Sequence, residues 1–191
     1  MEKLKINYLG IIGCVILYTF SSFASAFIGF LSPWCWIVMF PALAAILGAP
    51  SYLWAASRWQ RFGVSTLFAA VLALLLFSFG EISLLQTFLM IVVGVVSDIV
   101  RQMIGNGIKQ GVLVAYPVLS LCVFIWLMKL WTDSEWYYQG AVEEMGADYA
   151  NVLLMLSSMK ALILICLFVL LVAYTTMRLL VAKTQLSCKL G

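Results

Sequence analysis

The sequence contains no histidine, and only 10% of its 191 residues are charged. Histidine is the commonest metal ligand and the commonest proton carrier at neutral pH, so its absence argues against zinc sites and catalytic triads. The five cysteines show no C-x-x-C spacing, which predicts neither a disulfide nor a metal cluster. We therefore predict a protein that is not an enzyme and has no catalytic residues, bound metal or resident cofactor.

Basic clusters and nucleotide-binding motifs are also missing. The net charge is only +3 and the basic residues are scattered, so no nucleic-acid partner is expected. The sequence has no G-x-x-x-x-G-K-[ST] loop, and Gly105-Asn106-Gly107 lacks the strand–turn–helix context of a nucleotide fingerprint. Any ATP hydrolysis that drives this protein must take place on another chain.

Hydrophobic residues, by contrast, make up 65% of the sequence. A soluble domain of this size cannot cover so much apolar surface with polar groups, so lipid must surround most of the chain. Nothing resembles a soluble linker. The prediction is an all-α membrane protein in which residues 1–191 form a single transmembrane domain.

Charged residues divide the chain into apolar stretches close to the roughly 20 residues that a spanning helix needs. The first two spans meet at Ser32-Pro33-Trp34, since proline cannot continue a helix. The fourth passes Asp98, whose carboxylate we expect near the water boundary, and ends at a Gly105-Asn106-Gly107 turn. We predict a bundle of about six transmembrane helices, at 8–31, 37–57, 63–80, 82–104, 111–130 and 157–182.

The positive-inside rule, which counts Lys and Arg in short loops, then sets the orientation. One side of the membrane holds nearly all the basic residues: Lys3, Lys5, Arg58, Arg61, Arg101, Lys109, Arg178, Lys183 and Lys189. The other side has only Lys129 and Lys160, together with most of the acidic residues. Both termini are therefore predicted to be cytoplasmic, with membrane lipid around the bundle and an outer loop at 131–151.

This outer loop is acidic and aromatic, and loops of its length are usually functional when they are not disordered. Trp131, Trp136 and Tyr137 lie in it, and Trp34 and Trp36 lie in the first outer hairpin. Together they could line a pocket for a small molecule. The alternative is the belt of Trp and Tyr found at membrane interfaces.

Two further features have a functional and a structural interpretation. Lys160 could pair with an anionic ligand or with Glu81, or its side chain could reach the interface without a partner. In the first helix, Ser22-x-x-x-Ala26 and Ser25-x-x-x-Gly29 place small residues one turn apart. Such spacing lets two helices approach closely, either within the chain or with a partner.

The six-span layout, the segment from Pro41 to Gly63 and the segment G-V-V-S-D-I-V-R from Gly94 to Arg101 resemble the Trep_Strep family of membrane proteins. That family is similar to the substrate-binding S components of energy-coupling factor (ECF) transporters. The resemblance implies a protein of the bacterial plasma membrane that captures a small molecule at its outer face. It also implies a membrane-embedded coupling subunit and two ATPase subunits as partners.

On this resemblance, the candidate substrate-binding residues are Trp34, Trp36, Glu81, Trp131, Trp136, Tyr137, Asn151 and Lys160. The candidate contacts with the coupling subunit are Ser22, Ser25, Ala26 and Gly29. The cargo would be vitamin-like, or a metal chelate such as haem or a siderophore, held without histidine. The alternatives are a polytopic membrane enzyme, which the Ser, Thr, Cys and Met of the helix interiors do not favour, and a structural or regulatory bundle without cargo.

Overall fold

A computed structural model describes residues 8–104 and 110–190, and these residues are almost entirely helical, with no strand among them. Two short segments have non-α geometry: a 3-10 helix at Phe27–Leu31 and a π-helix at Cys35–Met39. The α-helices are α1 Tyr8–Ala26, α2 Phe40–Arg58, α3 Val64–Ser78, α4 Leu84–Ile104, α5 Gln110–Ser120, α6 Cys122–Trp126, α7 Lys129–Thr132, α8 Ser134–Met145, α9 Ala147–Leu156 and α10 Met159–Leu190.

Four of the predicted spans are long and apolar enough to cross a membrane: Tyr8–Leu31, Cys35–Arg58, Leu84–Ile104 and Met159–Thr184. Shorter apolar helices, Val64–Ser78 and Gln110–Trp126, occupy the positions predicted for the third and fifth spans. The structure thus confirms an all-α membrane bundle. The third helix is shorter than predicted because it starts after Gly63 and ends before Gly80, both of which have positive φ.

The second span lies at the centre of the bundle. In the most apolar 18-residue stretch of this span, 56% of the residues are buried, against 22% in the last span. Helix α2 packs against α1, α5 and α10. Small side chains permit this close packing, as at Gly48, where a Cβ atom would lie 2.7 Å from the Tyr18 ring. Helix α3 packs on α4, which in turn packs on α5.

The predicted fifth helix, 111–130, is divided into α5, α6 and α7. Pro117 lies inside α5, and the Ser120 hydroxyl donates to its carbonyl at 2.7 Å. Proline and such back-bonding both disturb regular helix geometry. The buried Gln86 side chain donates to the carbonyl oxygens of Ile125, at 2.8 Å, and Trp126, at 3.4 Å. It therefore satisfies carbonyls at the point where α6 ends.

At the end of the bundle that carries the α2–α3 turn, which we call the inner end, two charged side chains of α4 are buried. Asp98 is 1% exposed and Arg101 is 4% exposed. Asp98 accepts hydrogen bonds from three backbone N–H groups at the start of α3. Its carboxylate is thus enclosed by protein at this end of the bundle, and its position relative to the water boundary stays a prediction. Arg101 donates to the carbonyls of Trp59 and Arg61 just after α2. The predicted turn at Gly105-Asn106-Gly107 lies outside the described residues.

The predicted outer loop, 131–151, is largely helical. It contains α8 and the first half of α9, which meet at Gly146, where a φ of +92° allows a sharp change of direction. Helix α8 has no buried residue and packs mainly against its neighbours α7 and α9. The helix pair thus forms a thin cover over this end of the bundle, which we call the outer end.

Candidate small-molecule site

A cavity of about 410 Å³ lies at the outer end, where the three connections predicted to be outside converge. Helix α1 and the 3-10 segment form one wall of the cavity, and α8 and α9 form another. Trp36, Glu81, Trp126 and neighbouring side chains complete the lining. The lining residues are Phe23, Ala26, Phe27, Gly29, Phe30, Trp36, Glu81, Trp126, Leu127, Lys129, Trp136, Tyr137, Gly140, Ala141, Glu144, Met145, Tyr149 and Leu153.

The Trp36 indole is fixed on several sides within this wall. It stacks on Phe40, with ring centroids 5.0 Å apart, and meets Trp126 edge-on at 6.2 Å. Its position requires glycine at residue 29, because a Cβ atom there would overlap the indole ring. Trp36 belongs to the π-helical segment, a geometry that occurs often at functional sites. The ring is therefore held in place before any ligand arrives.

Trp126 joins the aromatic wall to a charged group. Its ring packs edge-on against Phe23 at 5.6 Å and against Phe40 at 5.2 Å. Its Nε1 donates to Glu81 Oε2 at 3.4 Å. The Gln86 bond to the Trp126 carbonyl supports the backbone behind this ring. The contacts orient the Glu81 carboxylate at the cavity.

Two tyrosine hydroxyls join the α8–α9 cover to the bundle. Trp36 Nε1 donates to the Tyr137 hydroxyl at 2.6 Å, and the Tyr149 hydroxyl donates to the Gly29 carbonyl at 2.7 Å. Burial raises the pKa of Tyr137 to about 12, although the hydrogen bond from Trp36 opposes the shift. Tyr137 is therefore neutral at physiological pH, and its hydrogen bond with Trp36 does not respond to pH changes in that range.

Three ionisable groups other than tyrosine line the cavity: Glu81, Lys129 and Glu144. The Lys129 ammonium lies 3.8 Å from the centroid of the Trp136 ring, a favourable cation–π contact. The cavity is therefore mainly apolar, with eight aromatic side chains among its lining residues, two carboxylates and one ammonium that already faces an aromatic ring.

A family model described as a hypothetical bacterial integral membrane protein (Trep_Strep) matches residues 8–180. The chain belongs to the Trep_Strep family. It is therefore a multi-pass bacterial membrane protein, as its helices also indicate. No curated protein and no solved structure matches the chain. The family description names neither a substrate nor an activity.

Four of the predicted substrate-binding residues of this Trep_Strep protein line the cavity: Trp36, Glu81, Trp136 and Tyr137. The other four lie elsewhere. Trp34 is 57% exposed, and Trp131 packs against the hydrophobic core. The Asn151 side chain accepts a hydrogen bond from Tyr138, outside the cavity.

Lys160, the last of the predicted substrate-binding residues that lie elsewhere, is exposed at the start of α10 and does not line the cavity. Its exposure agrees with the structural interpretation, in which the side chain reaches the membrane interface without a ligand.

The small residues of α1 face the interior of the chain. Ser22 and Ser25 are buried, and their hydroxyls donate to carbonyls of the same helix. Ala26 and Gly29 line the cavity. These small residues therefore pack within the chain, and their contact with a coupling subunit stays a prediction.

Several lining residues were not among the predicted site residues, notably Phe23, Trp126, Lys129, Glu144 and Tyr149. Phe23 and Trp126 lie inside apolar runs, where an aromatic side chain gives no sign of facing a cavity. Glu144 and Tyr149 do carry a signal, because both lie in the acidic, aromatic segment 131–151. Which of its side chains face inward depends on the turn at Gly146, where φ is +92°.

Proposed function

We propose that this Trep_Strep protein is the substrate-binding S component of an ECF-type importer, which captures a ring-containing small molecule at its outer end. The observation that carries the proposal is the aromatic cavity of about 410 Å³. Its volume lies within the range of about 300–1,000 Å³ that is common for small-molecule pockets. A bundle without cargo would have no need for a preorganised recess of this kind.

The lining favours a vitamin-like organic cargo over haem. Protein ligands to haem iron come from His, Cys, Met or Tyr. The Tyr137 and Tyr149 hydroxyls already have hydrogen-bond partners, so Met145 is the available iron ligand of the lining. Aromatic faces, by contrast, suit a flat conjugated ring, which can stack against them.

The transport step in this proposal depends on partner chains. A membrane-embedded coupling subunit would hold the protein, and two ATPase subunits would supply the energy for inward delivery. The chain itself would bind its substrate without chemical change. The ionisable groups of the lining support a binding role. Glu81 and Glu144 are exposed, and Lys129 faces the Trp136 ring.

Gly140 offers a way to obstruct the cavity without disturbing the fold. It lines the cavity, and a Cβ atom there meets no other atom within 4 Å. Gly140→Leu should therefore project a side chain into the recess and obstruct ligand binding there. Gly13→Leu is the matched control, because Gly13 is also helical, its Cβ would also meet nothing within 4 Å, and it lies away from the cavity.

The experiment compares the small molecules that co-purify with the wild type and with these two variants, identified by mass spectrometry. We expect one compound to be retained by the wild type and by Gly13→Leu and lost from Gly140→Leu. Equal retention by all three proteins, or by none, would contradict substrate capture in this cavity. Co-purification of a coupling subunit and two ATPases tests the transporter assignment separately.

A further inference from the structure

The charged groups of the cavity indicate the class of its ligand. We propose that the cavity selects a ring compound that carries a positive charge, such as a heteroaromatic cation; this inference rests on the proposed function. Of the ionisable groups that line the cavity, apart from tyrosine, two are carboxylates, Glu81 and Glu144, and one is an ammonium, Lys129.

Lys129 does not cancel the preference for a cation. Its Nζ lies 3.8 Å from the centroid of the Trp136 ring, so the negative face of that ring already compensates part of its charge. Glu81 is positioned differently: the indole N–H of Trp126 bonds to one of its oxygens. A carboxylate accepts more than one hydrogen bond, so Glu81 can also face a ligand cation.

The aromatic lining adds to the same preference. The faces of tryptophan, tyrosine and phenylalanine rings attract cations, and tryptophan does so most strongly. Trp36 and Trp126 line the cavity, as does Trp136, whose ring already faces the Lys129 ammonium. A flat cation can therefore gain stacking and electrostatic attraction from the same side chains.

The cover has a charge of the same sign as the two carboxylates. Besides Glu144, residues 133–159, which include α8 and α9, contain Asp133, Glu135, Glu143 and Asp148 and no Lys or Arg. Surfaces of one sign around a cleft raise the local concentration of ligands of the opposite sign. The approach to the cavity thus favours cations, as its lining does.

Three probes that share one ring system test the inference: 1-methylquinolinium, quinoline and quinoline-4-carboxylate, which are cationic, neutral and anionic at pH 8. Binding is measured by the quenching of tryptophan fluorescence in lipid nanodiscs. Gly140→Leu protein is measured in parallel, and its signal is subtracted to remove partition into lipid. We expect the cation to bind at least tenfold more tightly than the neutral probe, or about 1.4 kcal/mol, and the anion to bind most weakly.

Substitutions then locate the origin of the preference. The double variant Glu81→Gln, Glu144→Gln should reduce the preference for the cation to less than threefold. Glu143→Gln is the matched control, since Glu143 adjoins Glu144 and is also exposed but does not line the cavity. It should keep the wild-type preference at about 0.15 M salt, because an exposed charge that does not line the cavity is screened by solvent and ions.

The outcomes separate this inference from the proposed function. Neutral or anionic probes that bind as tightly as the cation would overturn the inference and leave ring capture intact. A preference that the double variant retains would overturn the assignment to these carboxylates. Probes that bind the wild type no better than Gly140→Leu would contradict both the proposed function and the inference.

Discussion

The Asp98 carboxylate joins α4 to the start of α3, and its replacement by asparagine tests whether a buried charge stabilises the inner end of the bundle. Asp98 accepts hydrogen bonds from the backbone N–H groups of Gly63, Ser65 and Thr66 at 2.9–3.1 Å. It also accepts one from the Thr66 hydroxyl at 2.8 Å. Its surroundings are therefore donors, which suit a carboxylate and do not suit an amide NH2 group.

The size of the effect follows from these contacts. A hydrogen bond to a charged group contributes about 1.5–3 kcal/mol and a neutral one about 0.5–1.5 kcal/mol. Asparagine keeps one acceptor oxygen but turns two donors toward the N–H groups, and it also loses the attraction between a negative charge and a helix N-terminus. We expect Asp98→Asn to lower the free energy of unfolding by about 2–4 kcal/mol, which for a chain of this length lowers Tm by roughly 5–15 °C.

A thiol-reactive dye can follow the unfolding of detergent-solubilised protein, because Cys122 is fully buried in the fold. The control is Asp148→Asn: Asp148 is an exposed residue in the first turn of α9, where loss of the helix-dipole interaction alone costs about 0.3–1 kcal/mol. If Asp98→Asn melts within 2 °C of the Asp148→Asn protein, the buried hydrogen bonds do not contribute as we argue.

Three more substitutions test other contacts. Gln86→Leu removes the side-chain donor to the Trp126 and Ile125 carbonyls, of which Ile125 keeps the Met128 N–H, and should cost about 1–3 kcal/mol of stability in the same melting assay; no measurable cost would contradict the capping role. Gly94→Ala places a Cβ atom 2.7 Å from a methyl group of α3 and should cost about 1–3 kcal/mol, whereas Gly13→Ala, which meets no neighbour, should be neutral or stabilising. Tyr137→Phe removes the hydrogen bond from Trp36 and should speed hydrogen exchange in α8 about two- to twelvefold. Tyr138→Phe, which loses only a bond within the cover, should leave the exchange of α7 and α8 unchanged.

The positions of the helices could be predicted from the sequence because the bilayer imposes a length on every span. The prediction of 82–104 for the fourth helix matches Leu84–Ile104 closely, since a helix cannot stop inside hydrocarbon without exposing backbone groups. The segments that carried the family resemblance also have identifiable structural roles. Gly94 permits close packing of α4 against α3, and Asp98 caps α3.

About half of the predicted substrate-binding set lines the cavity, and the reason lies in local geometry. Trp34 and Trp36 are two residues apart, and composition gives no basis for separating them. In the structure Trp34 is 57% exposed, while Trp36 fits against Gly29. The difference depends on the π-helical turn at Cys35–Met39, and hydrophobic periodicity does not predict such a turn. The same holds for the division of 111–130 into three helices, which brings Trp126 to the cavity.

The two ends of the bundle differ in a way that bears on function. At the inner end, Asp98 and Arg101 satisfy backbone groups at the start of α3 and the end of α2. At the outer end, the 3-10 segment, the π-helical segment and the breaks between α5 and α7 lie close to the cavity. Irregular backbone at membrane depth is tolerated where it is buried in protein or faces a water-filled space. The irregular segments at the outer end therefore lie where protein surrounds them or where they line the cavity, whereas at the inner end Asp98 and Arg101 join α4 to the start of α3 and the residues just after α2.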